Sequence, residues 1–542
     1  MTDHLVDVTD LTVDFPVGPT GAYVRAVDGV SFTLEPGRAL GIVGESGSGK
    51  STVAAALLGL HRGTGARLTG TVRVAGTDVA TATPAALRAL RGGTAAMVFQ
   101  DPLTSLDPYH AIGDQIAEVH RVHTSTTRRA ARARAVEVLD RVGIPDAARR
   151  SRARPHEFSG GMRQRALIAM ALACEPRLLI ADEPTTALDV TVQAQILDLL
   201  HGLREEHGLA LLLVTHDVGV AAESVDALLV MREGRVVERG PVGEVLTAPS
   251  APYTRALLSA VPRLDAPHDR PAGAAPVFGD APTVEAVTLR KEFGRGRRKV
   301  TAVSAVDLTL HPGETLGIVG ESGSGKSTLG RLLVGLLPPT SGEVRHAGTP
   351  TTGIAPGAQM VFQDPVSSLN PRRSIGASIA DPLRAAGERD GAAVRARVEE
   401  LLTRVGLEPG HYDRYPHEFS GGQRQRVGIA RALAPRPRLI VCDEPVSALD
   451  VTTQAQVTAL LAEIQRELGI ALVFIAHDLA VVRQVSDRVA VMRAGRIVEE
   501  GPVDEVYGRP AHPYTRQLLD AVPVLDPRLA ARRRSARQEV YA

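Results

Sequence analysis

Tryptophan is absent from this 542-residue chain, and aromatic residues make up only 3% of it. This scarcity gives no indication of base-stacking platforms for nucleic acid or of the aromatic belts of membrane proteins. Charge of neither sign dominates, because 62 basic side chains stand against 61 acidic ones. The composition therefore lacks the basic excess that nucleic-acid binding favours, and we expect no nucleic-acid partner.

Cysteine is almost as scarce as tryptophan. Cys174 and Cys442 are too few for a disulfide framework or a four-cysteine metal site. Long apolar runs are also missing: none approaches the roughly 20 residues that span a bilayer. The N-terminus lacks the basic and apolar segments of a secretory signal. We expect a cytosolic chain that depends on other subunits for any function at a membrane.

What the sequence does contain is a long internal repeat. GIVGESGSGKST occurs at 41–52 and again at 317–328, and HEFSGG occurs at 156–161 and at 417–422. From HEFSGG onward the two copies stay 261 positions apart, so they align without a gap. A period this long indicates a duplicated domain rather than a solenoid. We predict a first domain at 1–262, a Pro- and Ala-rich linker at 263–282, a second domain at 283–524 and a basic tail at 525–542.

Two local features break this symmetry. Lys50 and Gln100 are 50 positions apart, whereas Lys326 and Gln363 are 37 apart, so the first half carries an insertion. We place this insertion in the β-rich stretch 64–80. The tail carries the arginine cluster RRRSAR, which we expect to be solvated, with acidic lipid as the alternative partner.

The repeated glycine-rich segment matches the phosphate-binding pattern G-x-x-x-x-G-K-[ST] between an apolar strand and a helix. Its glycines let backbone N–H groups face an anion, its lysine reaches the β- and γ-phosphates, and its serine offers a hydroxyl to Mg²⁺. The chain has only four lysines, and two of them are these loop lysines. We predict an ATP-binding loop (P-loop) in each half, made of Gly44, Glu45, Ser46, Gly47, Ser48, Gly49, Lys50, Ser51 and Thr52, and of Gly320, Glu321, Ser322, Gly323, Ser324, Gly325, Lys326, Ser327 and Thr328.

Paired carboxylates follow an apolar strand in each half. Such a pair alone also fits an acidic loop, but its repeated spacing from the P-loop favours a catalytic function. The aspartate would hold Mg²⁺ together with the P-loop serine, and the glutamate would act as general base on water. A single histidine after a strand is more often structural, but here one lies 34 residues beyond each aspartate, a placement that can bring imidazole to a γ-phosphate. The predicted metal-binding carboxylates are Asp182 and Asp443, and the predicted catalytic residues are Glu183, Glu444, His216 and His477.

These motifs resemble those of ATP-binding cassette (ABC) proteins over nearly the whole chain. The resemblance implies ATP and Mg²⁺ as ligands and an α/β fold of two P-loop NTPase domains. Each domain would have a RecA-like core, a small antiparallel β subdomain and a helical subdomain. By the same resemblance, the further nucleotide-binding residues are the signature loops Ser159, Gly160, Gly161 and Met162 and Ser420, Gly421, Gly422 and Gln423, the Mg²⁺-sensing Q-loop residues Gln100 and Gln363, the D-loop residues Asp189 and Asp450, and the adenine-stacking candidates Phe15 and Phe293.

The resemblance narrows to the oligopeptide, dipeptide and nickel uptake subfamily. The segments FQDPLTSLDP and FQDPVSSLNP, SGGMRQR and SGGQRQR, and the PYTR repeats carry it. In that subfamily two different ATPase subunits pair, and this chain is similar to the two fused. Many members carry a cysteine cluster after PYT that is associated with an iron–sulfur centre, and neither half has one, so we do not carry that cofactor over.

The resemblance also implies how the chain works and with what. Each ATP would lie between the P-loop of one half and the signature loop of the other, so that intramolecular pairing replaces a homodimer. Both halves keep the glutamate, so we predict hydrolysis at both sites, with Met162 weakening one of them. The implied partners are two integral-membrane permease subunits and an extracytoplasmic solute-binding protein. The chain would be peripheral at the cytoplasmic face of the cell membrane.

Two alternatives come from other classes. A soluble tandem-cassette ATPase acting on ribosomes or nucleic acid is expected to have a long charged helical linker, zinc-binding cysteines or a basic arm. An exporter ATPase is expected to carry its own membrane helices. The transported solute stays open among peptides, nickel, glutathione-like molecules and opines.

Overall fold

The chain forms two compact units in the computed structural model. The first consists of Met1–Leu188, Val192–Val261 and Pro523–Ala542, and the second of Asp189–Thr191 and Pro262–Val522. Most of the predicted linker, 265–280, lies outside the described residues. The structure describes residues 4–18, 21–186, 188–264, 281–294, 299–364, 368–447 and 449–541.

Two sheets organise the first unit. One has four antiparallel strands in the order β2-β1-β4-β5, and the other has six strands in the order β10-β9-β3-β8-β7-β6. In the six-stranded sheet only the edge pair β9–β10 is antiparallel. The strands are β1 Val6–Val17, β2 Ala22–Leu34, β3 Ala39–Gly44, β4 Arg67–Val74, β5 Thr77–Asp78, β6 Ala95–Val98, β7 Leu178–Asp182, β8 Ala210–Thr215, β9 Ala227–Arg232 and β10 Arg235–Pro241.

The parallel strands are short apolar runs because both faces of their sheet are covered. Every residue of β3 is buried, and successive side chains point to opposite faces. Leu40 and Ile42 join one hydrophobic cluster, whereas Ala39 and Val43 join the other. Hydrophobic packing on both faces of the sheet therefore supports the carboxyl ends of these strands.

The helices of the first half cover this sheet and fill the interval between Gln100 and Ser159, where a helical subdomain is predicted. No helix in the described part of the chain is long and apolar enough to cross a membrane. The helices are α1 Lys50–Leu57, α2 Pro84–Leu90, α3 Pro102–Ser105, α4 Ile112–His123, α5 Arg128–Arg141, α6 Ala147–Arg150, α7 Gly160–Leu172, α8 Val190–His207, α9 Val218–Ser224, α10 Val242–Thr247 and α11 Pro252–Ala260.

The second unit repeats both sheets. Its strand orders are β12-β11-β14-β15 and, read in the same direction as in the first unit, β20-β19-β13-β18-β17-β16. They match those of the first unit strand for strand. The predicted fold class is thereby confirmed. The strands are β11 Val284–Phe293, β12 Val300–Leu310, β13 Thr315–Val319, β14 Ser341–His346, β15 Thr349–Pro350, β16 Ala358–Val361, β17 Leu439–Asp443, β18 Ala471–Ile475, β19 Arg488–Arg493 and β20 Arg496–Pro502.

The helices of the second half follow the same plan, and a last helix closes the chain. They are α12 Lys326–Leu333, α13 Ile375–Ala385, α14 Gly391–Arg404, α15 Gly421–Leu433, α16 Val451–Leu468, α17 Leu479–Val485, α18 Val503–Gly508, α19 Pro513–Asp520 and α20 Pro527–Tyr541.

The insertion in the first half lies partly elsewhere than predicted. Helix α2, Pro84–Leu90, stands between β5 and β6, whereas 351–357 between β15 and β16 contains no helix. Thr83 caps α2 by accepting a hydrogen bond from the N–H of Ala86, and Pro84 fits the first turn. The predicted position of the insertion, 64–80, is therefore wrong for its helical part, because helix α2 forms beyond that stretch.

The arginine-rich tail is helical and packs on the first unit. Arg537 pairs with Asp198 of α8 at 3.0 Å and lies 3.8 Å from the carboxylate of Glu223 in α9. Arg534 donates to the Glu223 carbonyl at 3.1 Å. These two arginines are therefore structural contacts of the first unit, in contrast to the solvated cluster expected from composition.

Candidate functional site

The P-loop of the first unit connects the end of β3 to the start of α1. Gly49 precedes the helix with φ 97°, and a Cβ there would lie 2.4 Å from the Ala26 carbonyl oxygen. Only glycine fits this close approach in a left-handed conformation. The second unit repeats the turn at Gly325, with φ 105° and the Ala302 oxygen 2.1 Å away.

The loop lysines are held in place by their own loops. Lys50 Nζ donates to the carbonyls of Gly44 at 2.9 Å and Glu45 at 2.8 Å. The side chain is almost fully buried, so its position is fixed before any phosphate arrives. In the second unit Lys326 donates to Gly320 at 2.7 Å and Glu321 at 2.9 Å, and burial lowers the pKa of the Lys326 ammonium.

The predicted magnesium ligands meet in each unit. Ser51 Oγ donates to Asp182 at 3.0 Å, and Ser327 Oγ donates to Asp443 at 2.7 Å. Burial raises the pKa of Asp182 and of Asp443 against the opposing serine hydrogen bond, so a nearby cation would stabilise both carboxylates.

Asp443 shows an unused acceptor at this position. Its Oδ2 is buried, and no donor from the described residues lies within hydrogen-bond distance of it. A hydroxyl beside a carboxylate with a spare oxygen suits Mg²⁺, which takes few protein oxygens and completes its shell with water and phosphate. The serine–aspartate pairs therefore fit the predicted metal.

The predicted catalytic glutamate of the first unit lies among three polar side chains. Glu183 Oε2 accepts from Gln100 Nε2 at 2.7 Å and from Thr186 Oγ1 at 3.0 Å, and it lies 3.2 Å from His216 Nδ1. Burial alone would raise the pKa of Glu183, but the His216 hydrogen bond and charge lower it overall. The carboxylate is therefore ionised at neutral pH, as a general base for water must be.

The second unit repeats this group with one substitution. Glu444 Oε2 accepts from Gln363 at 2.7 Å and lies 3.6 Å from His477 Nδ1. In both units burial opposes protonation of the histidine, but the glutamate raises its pKa. Ser447, at the position of Thr186, donates to the Glu444 backbone carbonyl at 3.2 Å instead of to the carboxylate.

Both glutamates have strained backbones. Glu183 and Glu444 each adopt φ 48°, a left-handed conformation that is uncommon for a non-glycine residue. Their N–H groups donate to the adjacent strand, at Val214 and Ile475, at 2.8 and 2.9 Å. Strain of this kind persists only where the surroundings impose it, and it is found most often at functional sites.

The signature serines cap helices. Ser159 Oγ accepts from the Met162 N–H at 3.3 Å at the start of α7, and Ser420 Oγ accepts from Gln423 at 3.3 Å at the start of α15. In the second unit the Gln423 side chain also accepts from the Ser420 N–H at 3.0 Å. Gly160 and Gly161, like Gly421 and Gly422, form the first turn, whose N–H groups suit an anion.

The D-loop aspartates also stand at helix starts. Asp450 caps α16 by accepting from the Thr453 N–H at 3.0 Å, and Asp189 accepts from Thr191 Oγ1 at 2.7 Å just before α8. Asp450 therefore caps its helix, whereas Asp189 contacts the side chain of a first-turn threonine. Their contact with nucleotide stays a prediction.

The two adenine-stacking candidates have different surroundings. The ring of Phe15 meets His61 edge to face, with centroids 5.2 Å apart. Phe293 is 42% exposed, and Lys291 Nζ lies 5.3 Å from its ring centroid. Phe293 thus offers more free ring surface than Phe15, and stacking at either residue stays a prediction.

Each unit therefore gathers its loop lysine, serine, aspartate, glutamate, glutamine and histidine at the carboxyl ends of its parallel strands. Reasoning from sequence missed Thr186, whose hydroxyl contacts the Glu183 carboxylate. The signal available was its place three residues after Glu183, which brings the two together only because of the turn at φ 48°. It also missed a tyrosine that contacts each P-loop, Tyr253 in one unit and Tyr514 in the other.

Comparison with known proteins places these features in a family. A family model described as "ABC transporter" matches residues 27–186 and 303–447. A second, described as "Oligopeptide/dipeptide transporter, C-terminal region", matches 237–285 and 498–542. Together the two models account for most of both units.

Relatives with glutathione import names resemble most of the chain. The glutathione import ATP-binding protein GsiA of Pectobacterium atrosepticum is 46% identical over 97% of this chain and 90% of its own length. GsiA of Escherichia coli O157:H7 is 48% identical over 93% and 87%. A solved dimeric ATP-binding cassette with ADP and Pi is 32% identical over 41% of this chain and 98% of its own, with a TM-score of 0.38. The chain belongs to the ABC transporter family as an ATP-hydrolysing, Mg²⁺-dependent ATP-binding protein with two fused cassettes.

Proposed function

We propose that the chain energises the uptake of a small peptide-like solute, such as glutathione or a short peptide, through a separate permease. The observation that carries this proposal is the duplicated catalytic group on a chain whose relatives are glutathione import ATP-binding proteins. The match of both cassettes to the oligopeptide and dipeptide transporter C-terminal region supports the same solute class.

In each cassette, different residues bind the phosphates, accept the proton from water and orient the base. The P-loop N–H groups and the loop lysine bind the β- and γ-phosphates. Glu183 or Glu444 accepts a proton from the attacking water as its oxygen bonds to the γ-phosphorus and the bond to the ADP oxygen breaks. Bound Mg²⁺ supplies charge neutralisation on the phosphates. Gln100 and Gln363 orient the glutamates, and His216 and His477 stabilise them as carboxylates.

Coupling to transport follows from shared nucleotides. The P-loop of each cassette would bind one ATP, and the signature loop of the other cassette, Ser159–Met162 or Ser420–Gln423, would cover its γ-phosphate. ATP then favours the closed pair and hydrolysis removes that bias, because a ligand shifts an equilibrium only through differential affinity. A permease that follows closure would alternate its access.

We infer that the chain is peripheral at the cytoplasmic face of the cell membrane, with two integral-membrane permease subunits and an extracytoplasmic solute-binding protein. The import relatives support these partners. The soluble alternative, acting on ribosomes or nucleic acid, has no support from either the family models or the relatives.

Reconstitution tests the proposal. Membranes from cells that express the tagged chain with its permease should yield a complex that, in proteoliposomes with ATP and the solute-binding protein, takes up labelled glutathione or a labelled dipeptide. The Glu183→Gln/Glu444→Gln double variant in the same vesicles is the control and should take up neither. Co-purification with ribosomes and no membrane subunit would reject import.

A further inference from the structure

The PYTR motif occurs in both cassettes, at 252–255 and 513–516, and hydrolysis as described above makes no use of it. In the first cassette it starts helix α11, and the Tyr253 hydroxyl accepts a hydrogen bond from the N–H of Glu45 at 3.3 Å. Glu45 is the second residue of the P-loop. The motif therefore contacts the phosphate-binding loop directly, across more than 200 positions of sequence.

Glu45 connects this contact to the loop lysine. Its carbonyl accepts from Lys50 Nζ at 2.8 Å, while its N–H is held by Tyr253. The peptide groups on both sides of Glu45 are thus fixed, one by the tyrosine and one by the lysine. The Glu45 carbonyl positions the Lys50 ammonium. By holding Glu45, the Tyr253 hydroxyl therefore also fixes the lysine that binds phosphate.

The tyrosine is itself held by strand β10 and strand β9. Glu238 of β10 accepts from the N–H groups of Ser250 at 2.7 Å and Ala251 at 3.1 Å, which anchors the start of α11. Arg232, at the end of β9, lies 5.2 Å from the Tyr253 ring centroid, within the range of a cation–π contact. The hydroxyl therefore reaches the loop from a rigid support.

The end of β9 also packs closely against Gly44, the first glycine of the P-loop. A Cβ at Gly44 would lie 2.2 Å from the carbonyl oxygen of Met231, the residue before Arg232. The end of β9, the start of the P-loop and the start of α11 thus form one packed junction.

The second cassette repeats every contact of this junction. The Glu321 N–H donates to the Tyr514 hydroxyl at 3.0 Å, and the Glu321 carbonyl accepts from Lys326 at 2.9 Å. Tyr514 is only 2% exposed. Further contacts come from Glu499, which accepts from Ala511 and His512 at 2.7 and 3.0 Å, from Arg493, 4.8 Å from the tyrosine ring, and from the Met492 oxygen, 2.2 Å from a Cβ at Gly320.

We propose that Tyr253 and Tyr514 are positioning residues for phosphate binding, through which the C-terminal segment of each cassette sets the P-loop. The inference rests on ATP binding at these loops. Both tyrosines lie in the segments that match the oligopeptide and dipeptide transporter C-terminal region. One physical function of that region is therefore to lock the loop that receives the nucleotide.

Removal of the two hydroxyls tests this directly. Tyr253→Phe/Tyr514→Phe in the full chain should raise the Kd for mant-ADP about 3- to 10-fold, the value of one hydrogen bond. The KM for ATP should rise by a similar factor while kcat changes less than about twofold, because the catalytic glutamates are untouched. Each single variant should give a biphasic titration, with half of the sites weakened, and Tyr514→Phe should have the larger effect because its bond is shorter and more buried.

Tyr507→Phe is the matched control. Its partly buried hydroxyl donates to the Leu479 carbonyl at 2.8 Å, so the variant loses a tyrosine hydrogen bond to the backbone away from the P-loop. It should lower the thermal midpoint without changing the Kd for mant-ADP. If the double variant only lowers the midpoint, as this control does, and keeps the wild-type Kd and KM, the tyrosines are merely structural and the inference is overturned.

The two proposals fail in different ways. A wild-type chain that binds mant-ADP, with unchanged affinity in the double variant, rejects the tyrosine inference and leaves the importer function standing. A wild-type chain that binds no nucleotide rejects both.

Discussion

The two cassettes can be compared position by position, because they share strand order and a constant offset beyond the signature loop. Their predicted catalytic glutamates have the same backbone angle, φ 48°, and each accepts a hydrogen bond from the corresponding glutamine at 2.7 Å. Their peripheries differ. Met162 stands where Gln423 completes a second hydrogen bond, and Phe15 is packed where Phe293 is exposed.

The largest difference lies where the C-terminal helix packs. Asp198, His201 and Glu223 of the first cassette contact or face the tail, and burial and nearby arginines lower the pKa of His201 to about 4. The aligned residues of the second cassette, 261 positions later, are Ala459, Ala462 and Gln484. Duplication has therefore kept the glutamate, glutamine and histidine of the predicted hydrolytic group, while Asp198, His201 and Glu223 have no ionisable counterpart in the second cassette.

The comparison predicts that Glu183 and Glu444 are equivalent, and a difference in activity between their variants would contradict it most strongly. Glu183→Gln and Glu444→Gln should each lower steady-state ATP turnover, and the double variant should lower it about 10²- to 10⁴-fold, because each change removes a general base. Phosphate release by the purified chain measures this. Glu175→Gln is the control, since Glu175 also has a positive φ but is exposed and pairs with Arg134. Full activity in either single variant would contradict hydrolysis at both sites.

The next largest effect concerns the tail surface and pH. Burial raises the pKa of Glu223 to about 7, against the charge of Arg537 and the N–H of Val524. A carboxyl group with a raised pKa stabilises the fold below its unfolded pKa of about 4.3 and loses that contribution as pH rises through 7. Relative to Glu223→Gln, the free energy of unfolding of the wild type should fall by on the order of 3 kcal/mol from pH 4 to 8.

Glu223→Gln also gives the first cassette the residue that the second has at Gln484. Denaturant unfolding at each pH measures the difference between the variant and the wild type. Glu244→Gln, at an exposed carboxylate, is the control. A difference that does not change with pH would mean that Glu223 does not titrate in this range.

A smaller effect separates the two phenylalanines. Phe293→Ala should raise the Kd for ATP in its cassette about tenfold, the usual cost of losing one base–aromatic contact, with little change in thermal midpoint. Phe15→Ala should weaken ATP similarly and also lower the midpoint, because Phe15 packs on the hydrophobic core. Val24→Ala and Val300→Ala, at the exposed cross-strand partners, are the controls. Unchanged affinity in both phenylalanine variants would remove them from the adenine site.

The smallest effect is expected at the signature helices. Met162→Gln should complete the second hydrogen bond of the cap and raise the free energy of unfolding by about 0.5 to 1 kcal/mol, and Gln423→Met should lower it by as much. Chemical denaturation of the two variants measures both changes. If neither variant moves the midpoint, the capping difference between the cassettes has no energetic consequence.

The parts that sequence could predict are those in which the chemistry is local. The P-loop glycines, Lys50 and the Asp182–Glu183 pair each lie within a short motif, and their spacing in a strand–loop–helix context is enough to identify them. The spacing of 34 positions from Asp182 predicts a place for His216 in the site, and the structure places it directly after a strand parallel to the one that ends at Asp182. The fold class followed from the same alternation of strands and helices.

The parts that sequence could not predict depend on contacts between distant segments. Tyr253 reaches Glu45 across more than 200 positions, and Arg537 reaches Asp198 across more than 300. Composition marks the tail only as basic, and the docking surface is visible only once the fold has brought α8, α9 and α20 together.

Vanadate trapping tests the central claim, that both cassettes hydrolyse ATP, most directly. The chain, with a specific protease site inserted in 263–282, is incubated with Mg²⁺, vanadate and labelled 8-azido-ATP, irradiated and cleaved into halves. Because trapping requires hydrolysis, we predict label in both halves and none in the Glu183→Gln/Glu444→Gln chain. Label confined to one half would show that only that cassette hydrolyses ATP, although the two sites have the same geometry.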